Sequence, residues 1–157
     1  MSTAINRDVA NGIWEVTYFL TSLYEYIDEN KSLTSRGEDF GGYGKTTEEE
    51  RSCTIIFGVR KPPKRGDVLQ IGFYGYGEMN DAESSCIYIL QWTDDAELWG
   101  RLKHEFSDPA HKIMETEEEW YIVPSWPHGK GASHEIIDAA AKEISDKIIK
   151  AILPDQV

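Results

Sequence analysis

The chain has 157 residues, 40% hydrophobic and 28% charged, and its 28 Asp and Glu against 16 Lys and Arg leave a formal net charge of −12. That length can bury the core of one domain without a metal or disulfide staple, and no stretch approaches the roughly 20 apolar residues of a membrane span. An anionic field of this size repels phosphate backbones and draws in basic proteins, so direct nucleic-acid binding is not expected.

The amino terminus, MSTAINRDVANGIWEV, has no basic segment followed by an apolar run, so a cytoplasmic location is expected. Residues 1–11 read as a loose lead. From about Gly12 to Asp28, Ile13, Val16, Phe19, Leu20, Leu23, Tyr24 and Ile27 recur at three- and four-residue intervals, the signature of an amphipathic helix. Its aromatic content (Trp14, Tyr18, Phe19, Tyr24, Tyr26) suggests a helix laid across a sheet. Residues 30–52, with Gly37, Gly41, Gly42 and Gly44 among Ser and Thr and the run Glu48, Glu49, Glu50, show no period of two or 3.6 and read as a long Gly-rich, acidic loop.

Cys53 to Val59 is a first strand, ended by the basic turn from Arg60 to Gly66, in which Pro62 and Pro63 cannot continue a ladder. Val68–Tyr76 and Cys86–Trp92 flank a polar loop and form an antiparallel hairpin. Apolar residues occupy both parities of these two runs, so the hairpin is expected at the centre of a sheet, covered by helices on at least part of each side. Cys53 and Cys86 then become buried, reduced thiols.

Asp94, with Glu97 three residues later, makes a capping box for a helix from about Asp95 to Phe106. The segment 112–119 is acidic, ending in Glu117, Glu118 and Glu119, and Trp120–Ser125 is a short strand that Pro124 places at an edge. A loop carrying Trp126 and His128 leads to Ser133, and this serine or the polar residues after it open a last helix to about Leu153. The expectation is a single α+β domain over residues 1–157 in the order α-β-β-β-α-β-α.

Several motifs fail on physical grounds. Gly44-Lys45-Thr46 matches the end of a phosphate loop, but Asp39 stands where the first glycine belongs, and no apolar strand precedes it. Gly72, Gly75 and Gly77 lie within a strand and at its exit, where bulges or close packing explain them better than a dinucleotide turn. His104, His111, His128 and His134 lack the spacing of a zinc site, and no cysteine lies near them in sequence. No Gly-x-Ser-x-Gly elbow is present. Neither a cofactor nor a metal is expected, and no residue is assigned to catalysis.

The order helix, three strands, helix, strand resembles the core of the restriction-endonuclease-like (PD-(D/E)XK) nucleases. That resemblance implies an acid on the second strand and an acid-x-lysine on the third to hold magnesium. Asp67 stands near the start of the second strand, but the third ends Gln91-Trp92-Thr93, so the implied metal site is degraded. The same order in a small acidic chain is similar to the class I type III secretion chaperones, which implies a homodimer wrapping an effector segment. The residues themselves read as a non-enzymatic acidic module that binds a basic protein, in the manner of an immunity protein, an anti-defence inhibitor or a nucleic-acid mimic. Its expected contact residues are Glu48, Glu49, Glu50, Glu117, Glu118, Glu119, Trp126 and His128; tryptophan on a loop is a frequent interface anchor.

Overall fold

The structure, a computed structural model, describes residues 7–36, 42–44, 50–78, 81–109, 112–115, 120–123 and 133–156. Its first element, α1 (Arg7–Asp28), begins five residues ahead of the expected Gly12, inside the segment read as a loose lead. Only beyond Ile13 does the apolar stripe of α1 become dense, so the sequence pattern dates the helix late. Phe19, Leu20, Leu23 and Ile27 point into the core.

At the end of α1, hydrogen bonds hold Ser35 in place. Its amide donates to Asp28 Oδ1 at 3.0 Å, its hydroxyl to the Tyr24 carbonyl at 3.1 Å, and its own carbonyl accepts from the Tyr24 hydroxyl at 2.9 Å. A serine only 4% exposed is therefore fully partnered. This clamp sets the short strand β1 (Thr34–Arg36), and β2 (Gly42–Gly44) follows. Both fall within residues 30–52, so that segment is not simply a loop: β1 pairs with Gly58–Arg60, and β2 with Ser52–Thr54. Three-residue strands are too short for a period of two to show.

The long ladder is β3 (Glu50–Arg60), β4 (Leu69–Glu78) and β5 (Asp81–Trp92). The antiparallel hairpin expected from the sequence is there, but longer. Residues 81–85, read as loop because they are polar, belong to β5, and the register shifts between Tyr76 and Glu78, at Gly77. After α2 (Ala96–Glu105) come β6 (Lys112–Glu115) and β7 (Trp120–Val123), then α3 (His134–Ile152). The sheet order is β1-β3-β4-β5-β7-β6, with β2 also on β3, and every pairing is antiparallel. Thus β7 lies between β5 and β6 rather than at an edge, and the start of the acidic 112–119 segment supplies the edge strand.

The α+β class and the alternation of helices and strands stand as expected. Cross-strand partners Phe57↔Ile71 and Val59↔Leu69 are all nearly inaccessible and join one cluster with α1, α2 and α3, whereas Ile56, on the alternate face, is 37% exposed. Edge-on contact of Tyr24 with Phe57, ring centroids 5.4 Å apart, seats α1 on that face.

Helix α2 is capped by Asp95, one residue later than expected, its carboxylate accepting from the amides of Glu97 and Leu98 at 3.0 and 3.1 Å. The cause is Thr93, whose hydroxyl donates to the Val68 carbonyl at 2.8 Å and accepts from the Asp95 amide at 3.1 Å. Trp99 on α2 donates from Nε1 to Glu115 at 3.2 Å and so ties the helix to β6. Helix α3 begins at the expected cap, Ser133. Tyr26 of α1 donates to Asp138 of α3 at 2.6 Å.

Candidate functional site

Of the expected contact residues, Glu50 is described; Glu48, Glu49, Glu117, Glu118, Glu119, Trp126 and His128 lie outside the described residues. Glu50 opens β3, and its direct partner across the ladder is Glu78, the last residue of β4. Glu78 is in turn the register partner of Asp81, the first residue of β5. Three adjacent strands thus end on acids at matched positions. Like charges directly opposite one another in a sheet are unfavourable by about 0.2–1 kcal/mol per pair. Glu78 and Asp81 were missed in sequence because polar residues at the tip of a hairpin read as loop.

Several acids on the helices are engaged. On α3, Asp146 pairs with Lys142 at 3.0 Å and Glu143 with Lys147 at 3.5 Å, while Glu105 of α2 meets Lys150 at 3.4 Å. Such exposed pairs are each worth about 0–1 kcal/mol. Asp138 accepts from the Tyr26 hydroxyl, and that hydrogen bond to a carboxylate, then burial and the nearby negative charge, pushes the tyrosine up to about 12.

Asp67, the acid on which a magnesium site would begin, stands in the turn before β4 and pairs with Arg60 at 3.2 Å. Its carboxyl lies over Gly58, so closely that a Cβ at that position would overlap it. Among the described residues no group of three or more His, Cys, Asp or Glu is arranged to hold a metal ion, and no helix is long and apolar enough to cross a membrane.

A second surface feature is aromatic. Trp14, 41% exposed, stacks on Tyr18 with centroids 5.3 Å apart, and both contact His134 at the start of α3. These rings lie where α1 meets α3 rather than on the sheet.

No protein-family model matches the chain, and no curated protein or solved structure matches it.

Proposed function

We propose that the protein is a non-enzymatic acidic module that binds a basic protein partner, as an immunity protein, an inhibitor of a defence system or a nucleic-acid mimic does. The observation that carries this reading is the alignment of Glu50, Glu78 and Asp81 across neighbouring strands in a chain of net charge −12. Register holds these acids together at a cost in folding energy. A cationic partner converts the same repulsion into binding energy, and the surrounding field speeds its approach.

Titration with a decalysine peptide and with a folded basic protein tests the reading. Affinity is expected to fall steeply as the Debye length shrinks from about 30 Å at 0.01 M salt to about 8 Å at 0.15 M. The double variant Glu50→Gln/Glu78→Gln is expected to weaken binding about tenfold, or roughly 1.4 kcal/mol. Glu143→Gln/Asp146→Asn, which removes the same charge from α3, should weaken it far less. Binding indifferent to salt, or equal losses in the two double variants, counts against the proposal.

A second reading, a homodimer of the secretion-chaperone kind, is supported by the order helix, strands, helix, strands, helix among the described elements. It requires a stable dimer by light scattering at micromolar concentration; a monomer there removes it.

A further inference from the structure

Opposite in sign to the rest of the chain is a cleft of about 450 Å³ between the β3–β4 turn and the start of α2. Lys61 and Lys64 line it from the turn and Arg101 from α2, over a floor of Val68, Leu98 and Ile152. Asp95 also lines it, but the amides of Glu97 and Leu98 already hold its carboxylate as the helix cap. We infer that this cleft binds an organic oxyanion, a carboxylate or phosphate carried on a short apolar stem.

Three considerations support this occupant. First, Arg101 is held in place: its Nε–H donates to the Ala151 carbonyl at 2.6 Å, near the end of α3. The guanidinium keeps its terminal N–H groups, and a guanidinium fixed in this way offers the planar fork that matches a carboxylate or phosphate bidentately. Second, both lysines are exposed and open to an anion. No carboxylate among the described residues forms an ion pair with Lys61 or Lys64, although acids outnumber bases by 28 to 16 in the whole chain. Third, Pro62 and Pro63, both exposed, give the cleft an apolar wall. A bare inorganic ion would leave that wall wet, whereas an alkyl or amino-acid stem covers it.

The wall that carries the lysines is also defined. Lys64 donates its amide to the Lys61 carbonyl at 3.1 Å, closing the turn on itself, and Gly66 supplies a φ of +85° that side-chain-bearing residues rarely adopt. The Val68 amide then returns to the Val59 carbonyl at 2.8 Å. Ordering these groups therefore costs a ligand less than it would on a free loop.

The inference is independent of the basic-partner reading and is tested with the full chain by amide chemical-shift titration. The probes are hexanoate, hexyl phosphate and the neutral hexanamide. At least one anion is expected to bind saturably, with shifts confined to residues 61–68 and 95–101, and at least about tenfold more tightly than the amide. The tighter anion identifies whether carboxylate or phosphate is the natural head group. Arg101→Gln is expected to weaken the anion about tenfold and Lys64→Gln, on the exposed turn, about threefold, with Lys142→Gln on α3 as the unchanged control. Should Arg101→Gln lose its fold along with the Ala151 contact, Lys64→Gln decides the matter. Hexanamide binding as tightly as the anions, absence of saturable binding by either anion, or full affinity in Lys64→Gln overturns the inference.

Discussion

At one end of the β3–β4 ladder, Phe57 faces Ile71 and Val59 faces Leu69 beneath three helices; at the other end, Glu50 faces Glu78, with Asp81 one strand further on. The same two strands thus run from close-packed apolar pairs to a pair of like charges. Burial fixes the first end, because removing any large side chain there leaves a hole that close-packed neighbours cannot fill. The second sets acids at opposed register positions, where like charges are unfavourable. Stability and binding are therefore expected to reside at opposite ends of one hairpin.

The largest effect that can break this comparison is at the packed end. Phe57→Ala should cost about 3–5 kcal/mol in chemical denaturation, the usual penalty for a phenylalanine-sized cavity. Its neighbour Ile56, on the alternate face and 37% exposed, should cost about 1 kcal/mol as Ile56→Ala, because it loses only part of a buried side chain's transfer energy. Equal costs would mean that both faces are covered.

Next in size is the Tyr26–Asp138 hydrogen bond that joins α1 to α3 above the packed end. Tyr26→Phe should cost about 1 kcal/mol at neutral pH. Because the hydroxyl titrates at about 12 in the fold against an ordinary 10.0, the stabilisation is complete below pH 10 and disappears as pH rises through 12. Wild type and Tyr26→Phe should therefore converge in stability under strongly alkaline conditions. A gap that stays constant with pH would mean that the hydroxyl's contribution does not depend on its proton.

The smallest effect has the opposite sign. Glu78→Gln should stabilise the fold by about 0.5 kcal/mol at low ionic strength, since it removes one partner of a like-charge pair. In concentrated salt the gain should vanish. No change at low salt would place the two acids too far apart to repel.

Much of this contrast was legible in the sequence, though unevenly. The helices declared themselves through period and caps: Ser133 opens α3 as read, and α2 starts one residue late only because Thr93 uses its hydroxyl to bridge Val68 and Asp95. The packed end was visible because Phe57, Leu69 and Ile71 are apolar and their strands adjoin a turn with two prolines. The acidic end was half visible. Glu50 stood out as part of a charge run, but Glu78 and Asp81 are isolated acids, and a strand that ends in polar residues has no hydrophobic alternation to mark it. Only pairing register brings them together, and register is a property of two strands that neither displays by itself. The short strands β1 and β2 escaped for the same reason, since their partner β3 specifies them more than their own residues do. The cleft cations come from separate elements, the β3–β4 turn and α2, which the sequence of either element alone does not bring together.

The most direct measurement is amide chemical-shift mapping of decalysine on the full chain at low salt. If a basic partner is recognised by the acidic end of the hairpin, the largest shifts fall on Glu50, Glu78, Asp81 and their strand neighbours and collapse in Glu50→Gln/Glu78→Gln. Shifts spread evenly along the acids of α2 and α3, or undiminished in that double variant, would contradict the account.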